Sequence, residues 1–253
     1  MDLRAFLLVS TASAAMWLGA FLFLVPRVSA MLCPGYKLLT TGDRRVWNNK
    51  AMSVLNAVLT GSVAVVALIW EELPKLYNDT LWDDSSVIHY TASTNVGYLL
   101  VDTGLLLRNP AMTDPGILLH HLIIVVCILA KILLDYGPPT FFNAMRMIQE
   151  VSNPFLHLRW LLAAAGVSRN SRLYVTNGLV FAASFLVSRI LPIPYYWTQS
   201  LQLITSPQTY VRFGALGLGF WFVADLLFDG INCFWAVKIC RGTYRFMTTR
   251  KLD

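Results

Sequence analysis

Charge is scarce in this chain. Only 13% of its 253 residues are Asp, Glu, Lys or Arg, against about one-quarter in a soluble domain. The shortage excludes an ordinary water-soluble globule, and with 56% hydrophobic residues and a mean hydropathy of +0.56 it indicates a chain that lives in lipid. Cysteine is equally sparse. The four present, Cys33, Cys127, Cys233 and Cys240, show no CxxC spacing, so neither a disulfide framework nor a zinc ribbon is expected. Histidine is sparser in pattern than in number. The four histidines offer no HxxxH or ExxH pair, and two adjacent histidines chelate poorly, so no metal is expected. Nucleophile elbows and phosphate-cradling glycine loops are missing. The last apolar span has no lysine in its middle for a retinal-type Schiff base. The +6 net charge is not gathered into basic blocks, which excludes nucleic acid and leaves loop charges that set membrane orientation.

What is present is a series of apolar runs. The expected fold is all-α, a polytopic bundle of about seven transmembrane helices. The expected spans cover residues 3–25, 47–70, 89–107, 116–135, 138–160, 173–193 and 212–237. The first run is long for a cleaved signal core and is read as a retained helix, with Val28-Ser29-Ala30 as the rival cleavage site. Loops after spans one, three, five and seven are basic, and the loop after span two is acidic with Glu71, Glu72, Asp79, Asp83 and Asp84 against Lys75. The positive-inside rule then puts the N-terminus in the lumen and the C-terminus in the cytosol. Asn78-Asp79-Thr80 is a glycosylation acceptor pattern in the acidic loop. Tyr195, Tyr196 and Trp197 fall in an expected lumenal stretch, and the tail ends in Arg250-Lys251-Leu252-Asp253, similar to an endoplasmic reticulum retrieval signal.

Three segments follow: an N-terminal helix and cytosolic loop over 1–46, a six-helix domain over 47–240 and a basic cytosolic tail over 241–253.

The spans carry polar stripes. Span five has Arg146, Glu150, Asn153 and His157 at i, i+4, i+7 and i+11, one helix face. Span seven has Asp225, Asp229 and Asn232, span three Thr91, Asn95, Tyr98 and Asp102, and span two Ser53, Asn56 and Thr60. Lipid satisfies none of these groups, so the stripes are expected to turn inward. Rise per residue places the polar layer nearer the cytosolic side, which predicts a pocket open there to a ligand head while an acyl tail enters from the bilayer. His120 and His121 open span four. Adjacent helical residues point about 100° apart, so one faces the pocket and the other packs. Simpler readings stand beside these: Arg146 with Glu150 as an i,i+4 pair, Arg189 as counter-ion to Asp225 or Asp229, Trp160 and Trp235 as interface anchors.

Together, Trp47-Asn48, Gly97-Tyr98 with Asp102, His120-His121, Glu150-Val151-Ser152 leading to Phe155 and Arg159-Trp160, Arg189, and Asp229 with Asn232 and Trp235 resemble the TLC-domain family. That family includes ceramide synthases, translocon-associated membrane proteins and small lipid-homeostasis proteins. The resemblance implies an endoplasmic reticulum membrane protein of lipid homeostasis that binds a membrane lipid or fatty acyl ligand. Its pocket residues would be Asn56, Asp102, Arg146, Asn153, His157, Arg189, Asp225, Asp229 and Asn232. It also raises an acyl-CoA-dependent N- or O-acyltransferase, with His120 or His121 as base and Glu150 or Asp229 orienting it. Acyl-CoA would be a co-substrate, with no resident cofactor. The residues leave open whether there is turnover at all. Ceramide synthases carry H-D-x-x-D on the following helix, whereas this chain reads Gln149-Glu150-Val151-Ser152-Asn153. It also has Asn56 where relatives often have histidine, and it lacks a homeobox-like segment. A cargo receptor or adaptor and a homo-oligomer are further expectations.

Overall fold

In a computed structural model, residues 1–78, 80–109, 115–134 and 137–249 are described. Among them the regular elements are all helical, in seven long segments: α1 (Leu3–Leu32), α2 (Thr41–Lys75), α3 (Ser86–Arg108), α4 (Pro115–Leu134), α5 (140–164), α6 (Arg172–Ile204) and α7 (Pro207–Thr249), the last broken by a kink at Gly214, which has φ +62°. Five of these are long and apolar enough to cross a membrane; α3 and α5 are not among them. They are the helices loaded with polar stripes, and their polar faces lie inside the bundle. Short polar side chains start the helices. Asp2, Thr40, Ser85 and Ser171 each accept a backbone N–H from the first turn, which satisfies donors that a helix start otherwise leaves open. The end of α5 is closed by Gly166 at φ +84°, with the Gly166 and Val167 amides donating to Ala163 and Leu162, a left-handed cap that only glycine adopts without strain.

Irregular turns recur at one kind of place. Wide π turns occupy Ala20–Leu24, Leu68–Glu72 and Leu186–Ile190, and a tight 3-10 turn occupies Ile148–Ser152. Each ends two residues before a proline: Pro26, Pro74, Pro192 and Pro154. Proline has no N–H and its ring meets the carbonyl four residues back, so the preceding turn must widen or tighten. Two of these turns carry the charges Glu150 and Arg189.

Several boundaries differ from expectation. Span one continues to Leu32 and span two to Lys75. The expected lumenal stretch around Tyr195–Trp197 is helical, Ile193–Ile204, and Tyr196 is buried. The chain is therefore held against the bundle after Pro192, where the prolines had indicated an exit. Residues 110–114 of the turn expected at 108–114, the foot of span four at Asp135, Asp79 of the acceptor pattern and the retrieval-like tail 250–253 lie outside the described residues. Asn78 itself is exposed in a turn.

Packing is closest between α1 and α3, which run parallel. Ser10 and Ser13 hydroxyls donate to the Ser93 and Thr94 carbonyls at 3.0 and 2.7 Å. Trp17 meets Tyr98 edge-on at 5.7 Å. Gly97 allows the approach, because a Cβ there would run into the Ser10 carbonyl, Ser13 and the Ala14 amide.

Candidate functional site

Three polar clusters lie inside the bundle. The first joins α2 to α3 as a ladder of antiparallel pairs: Asn49 donates to Asp102, the Tyr98 hydroxyl to Ser53 Oγ at 2.8 Å, and Asn56 to Asn95 at 3.1 Å. His121 closes its end. Its Nδ1 is 2.9 Å from the Thr103 hydroxyl and its Nε2 3.7 Å from Asp102 Oδ2.

The second cluster is centred on Arg146. Its guanidinium donates to both span-seven aspartates: to Asp225 Oδ1 at 3.0 Å, to Asp229 Oδ2 at 3.2 Å, and also to Asp229 Oδ1. Tyr196 donates to Asp225 at 2.7 Å and Trp197 to Asp229 at 2.8 Å. The guanidinium lies over the Tyr196 ring, 3.9 Å from its centroid. One cation, two carboxylates and two aromatic donors form a connected network, which is the condition under which buried charge is tolerated.

The third cluster is centred on Arg189, which is 3% exposed. It donates to Ser152 Oγ at 3.1 Å, Asn153 Oδ1 at 3.0 Å and Asn232 Oδ1 at 3.1 Å. Asn232 donates to Gln149 at 2.9 Å and Asn153 to Glu150 at 2.7 Å. Arg189 thus binds the amides and the 3-10 turn, while Arg146 takes the two aspartates. Reading Arg189 as their counter-ion, and Arg146 with Glu150 as an i,i+4 pair, both give way to this arrangement. The 3-10 turn at Ile148–Ser152 breaks the 3.6-residue phase, so Arg146 and Glu150 belong to different clusters.

A cavity of about 120 Å³ lies between the second and third clusters. Of the expected site residues, His120, Arg146, Glu150, Arg189 and Asp225 line it. His121, Asp102 and Asn56 sit in the α2–α3–α4 ladder instead, and Asn153, Asp229 and Asn232 hold the lining residues from behind. His157 does not line the cavity. The histidine pair therefore divides as helical geometry requires. The His120 ring packs on Phe228 at 4.7 Å and Trp235 at 5.6 Å. Its Nδ1 is buried without a hydrogen-bond partner, as is Nε of Arg146. No hydrogen bond joins His120 to Glu150 among the described residues. The histidine with a carboxylate at hand is His121, and its partner is Asp102 rather than Glu150 or Asp229.

The direction of the cavity departs from expectation. It starts at the level of His120, Glu150 and Arg189 and runs toward Lys131, Gly137, Pro138 and His89. That is the end of the bundle holding the α2–α3 loop and the α4–α5 turn, which the charge rule assigns to the lumen and not the cytosol. Lys131, Asn49 and His89 were not singled out from the sequence, and Tyr196, Trp197 and Gln149 were named there without a place in the site. Lys131 and Gln149 had a legible signal, a polar residue inside an apolar run. Tyr196 and Trp197 had none, since aromatic residues after prolines look like interface anchors. No group of three or more His, Cys, Asp or Glu among the described residues is placed to hold a metal ion.

A family model of the TLC domain matches residues 46–241. The chain is 29% identical to TLC domain-containing protein 4 of Xenopus tropicalis over 231 residues, 91% of this chain and 87% of that protein. It is 24% identical to TLC domain-containing protein 4 of Homo sapiens over 252 residues, 98% and 94% of the two chains. TLC domain-containing protein 2 of Danio rerio is 24% identical over 145 residues, 57% of each.

Proposed function

Since the chain belongs to the TLC-domain family, we propose that it holds a lipid or fatty acyl group in the intramembrane cavity and acts in membrane lipid homeostasis. The observation that carries this reading is a hollow walled by α4 and α7 side chains such as Ile124, Ile128 and Phe220, with the unpartnered Nδ1 of His120 at its inner end. Apolar walls suit an acyl chain, and a few convergent polar groups suit the oxygen atoms at its end. The endoplasmic reticulum is the proposed location, with Asn78 on the lumenal side. An Asn78→Gln variant that loses a glycosidase-sensitive mobility shift supports this orientation, and a wild type without any shift opposes it.

The test of binding is native mass spectrometry of the full chain released from detergent. Co-purified acyl lipid that is lost in a Cys127→Trp variant, which fills the cavity, supports the reading. A ligand-free wild type after expression in lipid-rich membranes sinks it.

A second reading, acyl transfer from acyl-CoA, is favoured by one geometric fact: His120 and Glu150 share the cavity wall. The neutral His120 imidazole would accept a proton from an amine or hydroxyl as its N or O attacks the acyl carbonyl. The thioester C–S bond would break and the CoA thiolate would take the proton back. Labelled acyl-CoA with amine and lysophospholipid acceptors tests it. Turnover abolished by His120→Ala and kept by His121→Ala supports His120 as the base. Equal turnover in both variants removes the reading.

A further inference from the structure

We propose that a notch at the far end of the bundle from the cavity mouth seats the phosphate of an anionic phospholipid, with Arg159 as its anchor. The notch is separate from the acyl cavity and the proposal does not rest on that reading.

Arg159 stands out in the sequence beside Trp160, yet it has no part in the cavity. It lines a second hollow of about 50 Å³. The walls come from three elements: Arg159 near the end of α5, Tyr174, Gly178 and Leu179 at the start of α6, and Gly242 and Thr243 on α7. Three donor groups line it. The Arg159 Nε–H donates to the Tyr174 hydroxyl at 3.0 Å, and the guanidinium carbon lies 5.3 Å from the centre of the Tyr174 ring. The bond and the ring fix the guanidinium and leave its two Nη groups without an acceptor among the described residues. The Tyr174 hydroxyl has accepted and still has its own proton to give. The Thr243 hydroxyl has no hydrogen-bond partner among the described residues. Other helix threonines, Thr91, Thr94, Thr198 and Thr205, bond back to the carbonyl four residues earlier. A forked guanidinium edge with two hydroxyls is a donor set that suits phosphate oxygens.

Space and charge point the same way. A Cβ at Gly178 or at Gly242 would meet nothing within 4 Å, so both walls are open to a guest. No Asp or Glu occurs from residue 151 to 224 or from 230 to 252. Arg159, Arg169, Arg172 and Arg241 all fall in these stretches, and none of the four is in an ion pair among the described residues. The α5 end, the α6 start and the α7 segment beside them therefore offer these cations no carboxylate before residue 253. This is the end that the charge rule assigns to the cytosol, where the leaflet is rich in anionic lipid and basic pockets between helices take phosphate heads. A membrane surface attracts any arginine; a walled hollow with two hydroxyls selects a head.

The experiment uses the full chain in detergent and native mass spectrometry with added phosphatidic acid or phosphatidylcholine of the same acyl chains. Wild type is expected to bind phosphatidic acid about ten-fold more tightly, the scale of a charge-assisted hydrogen bond. Arg159→Gln and Gly242→Leu each bring the two lipids within about two-fold; the leucine does so by filling the notch with every charge kept. Arg169→Gln, which removes the same charge from the neighbouring turn, keeps the preference. If wild type shows no preference, if Arg159→Gln or Gly242→Leu keeps it, or if Arg169→Gln abolishes it as well, the arginines act only as diffuse surface charge and the site is overturned. Glycerol 3-phosphate is the last arm. If it displaces phosphatidic acid at a similar concentration, the notch takes a free phosphate and the lipid is overturned as its occupant.

Discussion

At the scale of single residues, Arg146 is the group whose loss is felt most. Its guanidinium is the cation bonded to both Asp225 and Asp229. Removing it leaves two buried carboxylates against each other, and breaking a buried pair of this kind costs about 3–5 kcal/mol. Arg146→Ala is expected to lower the unfolding temperature of the detergent-solubilised protein sharply. Simultaneous Asp225→Asn and Asp229→Asn changes should recover part of the loss, because the uncompensated charge is gone. A small effect of Arg146→Ala alone would show that the carboxylates are held by other means. Asp84 has a milder signature at the bundle surface. The His89 ring beside it, with Lys131 adding to the effect against partial burial, holds its carboxyl down at about 2. Its ionised form is favoured by the folded state. The stability it contributes is present above the unfolded carboxylate's ~3.9 and lost as pH falls from there through about 2. Wild type and Asp84→Asn should therefore differ in melting temperature near neutrality and converge in acid. Parallel pH curves for the two proteins would refute the link.

Elements show where sequence reading succeeded and where it lost the phase. The stripes of α2, α3 and α7 are legible because those helices keep a 3.6-residue period through them. Asn49, Ser53 and Asn56 meet Asp102, Tyr98 and Asn95 in the order that antiparallel helices dictate. The α5 stripe looked continuous over Arg146, Glu150, Asn153 and His157, and it is not. Pro154 forces the tight turn before it, and the tight turn rotates Glu150 and Asn153 toward Arg189 while Arg146 faces α7. The division of His120 from His121 was legible in the 100° between neighbours, but which of them met the cavity depended on neighbours in α3 and α7. Lys131 was passed over because its surroundings, Asp84, His89 and Gly137, come from three separate stretches of chain. The π turn before Pro192 invites a direct test. It sets the rotation between Arg189 and Tyr196, so Pro192→Ala, by restoring the N–H and a regular turn, should pull Tyr196 off Asp225. The expected loss is that of one hydrogen bond to a charged group, about 1.5–3 kcal/mol. Tyr196→Phe should cost a similar amount, and the double variant should be clearly less destabilised than the sum. Full additivity in thermal unfolding would mean that the turn does not set the ring's position.

For the whole molecule, the all-α membrane architecture followed from hydropathy and charge alone, since a bilayer admits few alternatives. The direction of the hollow did not follow. Counting rise per residue gave depths and an opening toward the cytosolic side, but depth alone does not say which side of the layer is packed and which is open. Packing decides that. On one side the His120 ring rests on Phe228 and Trp235, and Arg189 ties Ser152, Asn153 and Asn232 together. On the other, the small and branched side chains of α4 leave space as far as Lys131.

The layer of Arg189, Asn232 and Gln149 is thus a floor. The cavity has the form of a cup and not a conduit, and on the proposed reading a guest would leave by the rim through which it came. Liposomes carrying the protein should hold a proton or potassium gradient as long as empty ones do; a measurable leak would mean that the floor opens.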